Sequence, residues 1–187
     1  WTKLGNYIPG GGNYNAYKFG CSVSLSSDGT RIAVGAPANR YQGGGDINGA
    51  TFLSKVRIYD YTPTGVSSWT QLGSDIENEL NSDRLGYSVS LSADGSMVAA
   101  SAPINPGGGN QRGHIRIYNW DGNDWIQFVD DIDGPSDFAK LGSAMTLSGD
   151  GSKLAAVWEN VTRGNVATYS LSGGESYQYA WDVDSGG

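Results

Sequence analysis

Apolar and polar positions alternate in three short stretches of this chain. Cys21, Val23 and Leu25 are separated by Ser22, Ser24 and Ser26. Tyr87, Val89 and Leu91 keep the same rhythm, as do Ser143, Met145 and Leu147. A period of two puts alternate side chains on opposite faces of an extended backbone, so each stretch predicts a strand with one apolar face. Each then runs into Ser27-Asp28-Gly29-Thr30, Ala93-Asp94-Gly95-Ser96 or Gly149-Asp150-Gly151-Ser152. Asp-Gly supplies the positive φ of a tight turn, which is the job expected of Asp28, Asp94 and Asp150. Next come the nearly continuous apolar runs RIAVGAP, MVAASAP and KLAAVW, from Arg31, Met97 and Lys153. Such runs predict strands buried on both faces. VRIYDY and IRIYNW, from Val56 and Ile115, alternate again, and WTQLGSDI from Trp69 reads as a weaker fourth strand. No segment shows a 3.6-residue period, which excludes a helical solenoid.

These segments recur as one unit. FGCSVSLSSDGTRIAVGAP, LGYSVSLSADGSMVAASAP and LGSAMTLSGDGSKLAAVWE begin at Phe19, Leu85 and Leu141 and each spans the same 18 steps. Trp69, Trp125 and Trp181 are spaced by 56. The loops between these fixed parts vary in length, as they do in stacked supersecondary units. Four antiparallel strands per unit predict an all-β fold of β-propeller blades, with small residues such as Gly35, Ala36, Ser101 and Ala102 letting neighbouring sheets approach. Unit boundaries are expected near residues 9–76, 77–132 and 133–187, with the fourth strand of a preceding blade at 1–8.

Phe19-Gly20 and Gly35-Ala36-Pro37 resemble the FG-GAP repeat of integrin-α-like β-propellers. The second copy keeps Gly86 and Ala102-Pro103. The third keeps Gly142 but has Val157-Trp158-Glu159 in place of Gly-Ala-Pro. The hairpin LSADGSMVA is also similar to those of surface propellers of the TolB and YVTN families. Many FG-GAP repeats carry a calcium loop, and here this sequence departs from them. A hard cation needs six to eight oxygens, and one Asp per turn cannot supply them. The resemblance therefore carries no metal and no cofactor over to this chain.

The composition narrows the function. Only 17% of the residues are charged, 29 are Gly and 11 Tyr, and the net charge is −7. An acidic chain without a basic, aromatic-interleaved run is a poor partner for nucleic acid. No apolar run reaches the roughly 20 residues of a membrane helix, so no membrane insertion is expected. One cysteine excludes an internal disulfide; Cys21 is expected to be a buried, inert thiol. The chain opens on Trp1 rather than Met, which predicts a processed or excised chain. Three units cannot close a ring of the usual four to eight, so the ends are expected to meet further blades of a longer protein or other chains.

Candidate chemistry is sparse. His114, the single His, is expected to be a solvated strand-start residue, because no nucleophile and orienting carboxylate accompany it. Glu77, Glu79 and Asp83, and Asp131, Asp133 and Asp137, lie in acidic loops without regular ligand spacing. A sialidase-type glycosidase would show a Ser-x-Asp-x-Gly box ending in Trp, which SLSSDGTRI lacks. The long loops hold Tyr14, Tyr17, Arg40, Tyr41, Gln111 and Arg112, a composition suited to contact with protein or glycan. Asn160-Val161-Thr162 is an N-glycosylation sequon. The expected function is a non-enzymatic, extracellular or cell-surface module for adhesion or structural assembly, such as a filament or appendage component. The alternative is a carbohydrate-binding lectin or an enzyme domain using the same loop face.

Overall fold

A computed structural model of the chain describes residues 1–10, 18–37, 54–63, 68–80, 83–159 and 163–171. All regular structure among them is extended, in three antiparallel sheets. The first contains β1 (Ser22–Leu25), β2 (Arg31–Ala36), β3 (Lys55–Tyr61), β4 (Trp69–Gln71) and β5 (Ile76–Glu77). The second contains β6 (Val89–Leu91), β7 (Met97–Ala102), β8 (His114–Trp120), β9 (Trp125–Gln127) and β10 (Ile132–Asp133). The third contains β11 (Met145–Leu147), β12 (Lys153–Glu159) and β13 (Gly164–Ser170). Strands follow one another across each sheet in chain order, as in a propeller blade.

The recurring 18 steps are a hairpin held at both ends. At its open end the Gly20, Gly86 and Gly142 amides donate to the carbonyls of Gly35, Ser101 and Val157, at 2.9–3.0 Å. The residue two before each of these glycines, Lys18, Arg84 or Lys140, stands at positive φ. At the tight end, Asp28 accepts from the Ser26 hydroxyl at 2.7 Å and from the Thr30 amide at 3.0 Å. Asp94 and Asp150 repeat both bonds. The Ser26 hydroxyl bond, followed by the Thr30 bonds, holds the exposed Asp28 carboxyl down at about 2.

The expected fourth strand is broken in two. Tyr59 pairs with Gln71 and Val56 with Ile76, so five steps on one strand face three on the other. Tyr118 with Gln127, and Ile115 with Ile132, repeat this bulge. At its turn Gly73 has a φ of 73° and packs tightly on Trp120 and Asp124 of the second sheet. The third sheet has three strands among the described residues, short of the four expected.

The core lies between the sheets. Ala33, Val56 and Ile58 of the first pack against Leu85, Val89, Leu91 and Val98 of the second. Ala99, Ile115 and Ile117 of the second pack in turn against Leu141, Leu147 and Leu154. Polar bonds fix the same joint twice. Leu91 N donates to Ser24 Oγ at 2.9 Å, and Leu147 N to Ser90 Oγ at 2.9 Å. Ser27 N donates to the Ala93 carbonyl at 2.8 Å, and Ala93 N to that of Gly149 at 2.7 Å.

Residues 1–8 form no strand, yet they sit before the first sheet as Leu72 and Gly73 sit before the second. Trp69 Nε1 points to the Leu4 carbonyl at 3.4 Å, where Trp125 Nε1 donates to that of Leu72 at 3.0 Å. Gly5 packs on Ser68 and Tyr61, the counterparts of Asp124 and Trp120 beside Gly73.

Candidate interaction surfaces

The bulge in each outer strand builds a charged cradle against the third strand. In the first sheet the Arg57 guanidinium grips the Asp75 carboxylate with Nε–Oδ1 at 2.7 Å and Nη2–Oδ2 at 3.0 Å. Lys55 Nζ reaches the same carboxylate at 2.7 Å. Gln71 Nε2 crosses the bulge to Asp75 Oδ1 at 2.9 Å and to the Gly73 carbonyl at 3.2 Å. Burial alone would raise the Asp75 carboxyl; the bonds from Arg57, Lys55 and Gln71 outweigh it and hold the group well below the usual carboxylate range.

The second sheet repeats the cradle with one change. Arg116 grips Asp131 through two bonds of 2.9 Å, and Gln127 Nε2 reaches Asp131 Oδ1 at 2.8 Å. His114 stands where Lys55 stood, its Nδ1 3.4 Å from Asp131 Oδ2. Contrary to expectation it is buried, at 2% exposure, with Nε2 lacking a hydrogen-bond partner among the described residues. The second sheet has neighbours on both sides, and they cover the strand start that the sequence alone leaves open. Burial lowers the His114 pKa, against the pull of Asp131 and together with the push of Arg116. Arg116 also pairs with Glu79 from the preceding loop.

Glu79, His114 and Asp131 thus bring three ligand-type atoms within 4.8 Å of one another. The guanidinium of Arg116 lies among them and bonds to both carboxylates. Its fixed positive charge occupies the place a cation would take, so the cluster is an ion-pair network. The remaining acidic loop residues have separate tasks. Asp83 is buried at 2% exposure and takes the Leu85 amide at 3.1 Å; desolvation raises its pKa. Asp137 receives the Asn110 amide and side chain, each at 3.1 Å. Asp133 is half-buried, and burial raises its pKa.

Two of the six loop contact candidates lie in described residues. Gln111 is exposed at a φ of 46°, and its carbonyl takes the Lys140 amide at 3.0 Å. Arg112 is partly buried, and its Nε donates to the Gly134 carbonyl at 2.8 Å. Arg112 therefore laces the loop after β7 to the loop after β10. Tyr14, Tyr17, Arg40 and Tyr41 fall outside the described residues, as do the sequon at Asn160 and the segment at Trp181. Cys21 is exposed rather than buried, because no sheet among the described residues covers that side of the first one.

Sequence reasoning missed the cradles. The signal was present in the repeat: Arg57 and Arg116 share one position, and Gln71 with Asp75 matches Gln127 with Asp131. In β13 the position of these arginines holds Ala167, and in the opening segment the position of the aspartates holds Tyr7.

No protein-family model matches the chain, and no curated protein matches it. Solved structures do. A "putative 6-phosphogluconolactonase" from Bacteroides uniformis superposes with a TM-score of 0.52 at 14% identity, over 81% of this chain and 36% of that one. A nidogen/laminin complex gives 0.49 at 10% identity, over 83% and 45%. Kuenenia stuttgartiensis hydrazine synthase gives 0.49 at 17% identity, over 81% and 45%. The chain thus spans less than half the length of each. The first likeness bears on the fold alone, and with the sheet order it identifies a β-propeller architecture.

Proposed function

We propose that the chain is a non-enzymatic, integrin-α-like FG-GAP propeller module that serves adhesion or structural assembly at the cell surface or outside the cell. The observation that supports this most is the repeated joint. Two successive interfaces use the same hydroxyl-to-amide bond, Ser24 with Leu91 and Ser90 with Leu147. A joint built twice to one pattern is a stacking element, and stacking extends a rigid body along which loops of different length can be displayed. Glu79 and Asp131 beside the second sheet are both engaged by Arg116. The polar, low-charge loops around Gln111 and Arg112, with Tyr14, Tyr17, Arg40 and Tyr41, form the contact face in this reading.

Labelling intact source cells with a membrane-impermeant amine reagent tests the location. The module is expected in the labelled surface or fibre fraction. Recovery solely from the unlabelled interior would overturn the reading. Replacing Tyr14, Tyr17 and Tyr41 together by Ala tests the loop face: adhesion of purified protein to source-cell or matrix surfaces is expected to fall, and unchanged adhesion removes that face from the proposal.

A further inference from the structure

Among the described residues the first sheet is open on its far face, which corresponds to the face by which the second sheet meets the first. Val23 and Leu25 are 60% and 57% exposed, whereas their counterparts Val89 and Leu91 are each 6% exposed in the joint. A Cβ on Gly20 or Gly29 would meet nothing within 4 Å. At the matching positions Gly86 is covered by Val56 and the Lys55 carbonyl, Gly142 by Ser101 and Ile115, Gly95 by Arg31 and Gly151 by Met97.

The third sheet is open, among the described residues, on its opposite face, in the complementary sense. Val166 is 72% exposed, while Val56 and Ile115, at the same place in the first and second sheets, are fully buried in the two joints. Lys153 is exposed where Arg31 reaches across to the Gly95 carbonyl at 2.9 Å. Thr146 presents a hydroxyl at the position from which Ser24 and Ser90 accept the Leu91 and Leu147 amides. The Gly149 amide corresponds to those of Ser27 and Ala93, which donate across their joints.

We infer that these two faces are the halves of one further joint, and that a second copy of this chain fills it head to tail. The established joints state what each half must offer, and each open end offers it. Thr146 of one copy would accept the Leu25 amide of the next, and the Gly149 amide would reach the Ser27 carbonyl. Val166 would cover Val23 and Leu25. Lys153 would reach the Gly29 carbonyl. Val157 stands where Gly35 and Ser101 stand, and the second joint already accommodates a side chain at that position, Ser101 beside Gly142. The segment 1–8 already lies beside the open face, in the place of an arriving sheet's outer strand. Such an interface is heterologous, so it builds a ring or a fibre, and two copies of three sheets would make a ring of six, within the usual four to eight. The inference rests on the assembly reading above and names its partner.

Sedimentation velocity of the purified chain, from about 1 µM to about 1 mM, tests it. The sedimentation coefficient is expected to climb with concentration. Leu25→Asp spoils one face and Val166→Asp the other, so each variant alone is expected to stay monomeric. An equimolar mixture of the two is expected to give a discrete dimer, since each variant retains the half the other has lost. A wild-type chain monomeric at about 1 mM overturns the inference. So does association that both variants leave intact, or a mixture that stays monomeric. Thermal melts followed by circular dichroism report whether the variants fold, and Val23→Asp replaces Leu25→Asp if that melt shifts. A monomer that still labels at the cell surface removes this joint and leaves the adhesion reading in place; self-association of a chain found only in the interior does the reverse.

Discussion

The Ser24 hydroxyl accepts the amide hydrogen of Leu91 at 2.9 Å, across a joint between two sheets and between residues 67 apart in the chain. Ser90 does the same for Leu147 at 2.9 Å. Both amides belong to the strand edge that faces away from its own hairpin partner. Without the serines these donors would be left at the joint with nothing to bond. Ser24→Ala and Ser90→Ala are each expected to destabilise the fold by about 1–2 kcal/mol. Denaturant titration reads the loss, and hydrogen exchange should show faster exchange at Leu91 or Leu147 specifically.

Gly35 is the tightest point of the first joint. A Cβ there would run into the Gly86 carbonyl, a backbone atom that cannot rotate away. Gly35→Ala is expected to cost about 2 kcal/mol through forced separation of the sheets. Gly164→Ala is the control, because nothing lies within 4 Å of its added methyl and its φ is not positive. A change beyond about 0.5 kcal/mol in the control would remove the steric explanation.

Arg116 pairs with both Asp131 and Glu79 and is itself largely buried. Truncation to Ala leaves two carboxylates facing each other beside the neutral His114. The expected loss is about 2 kcal/mol, below the 3–5 kcal/mol of a fully buried pair because Asp131 and Glu79 stay in reach of water. Asp131→Asn should recover part of the loss in the Arg116→Ala background, which a double-mutant cycle would measure.

His114 makes stability depend on pH. Its folded-state pKa lies below the unfolded value of 6.5, so the unfolded chain takes up the proton first. The stabilisation from a neutral His114 is full above the unfolded value and is lost as pH falls through it. Between pH 7 and about pH 5 the wild-type chain is expected to weaken, and His114→Asn should flatten that part of the profile. Asn165 holds the same position in β13, so asparagine suits the site. An unchanged slope in the variant would assign the pH dependence to another group.

The Asp-Gly turns act in a lower window. The Asp28 and Asp150 carboxyls lie at about 2 in the folded chain, and Asp94 is also lowered, in each case led by the neighbouring serine hydroxyl bond. Their contribution is present above the unfolded value near 4 and disappears as pH falls through the folded one. Asp150→Asn should therefore lower stability at neutral pH and leave it nearly unchanged at about pH 2.

Much of the architecture is legible in the chain itself, for a local reason. Alternation of Val89 and Leu91 with Ser88, Ser90 and Ser92 specifies a strand and its two faces. Asp94-Gly95 specifies the turn, and the constant hairpin length follows from pairing Gly86 with Ser101. These depend on neighbours within about twenty residues, and their repetition marks them as framework.

Burial was decided elsewhere. The same apolar alternation lies open in β1, with Leu25 57% exposed, and is covered in β6, with Leu91 at 6%. Nothing in either stretch differs enough to say which; the difference is whether another sheet stands before it. His114 is buried and Cys21 exposed for this reason, against what their positions in the repeat suggested. The Arg57–Asp75 and Arg116–Asp131 cradles also needed the tertiary structure, because a bulge of two extra residues turns each aspartate toward its arginine. Periodicity determines which faces a strand has; only the packing of distant sheets determines which of those faces meets water, and among the described residues it leaves Val23, Leu25 and Val166 exposed.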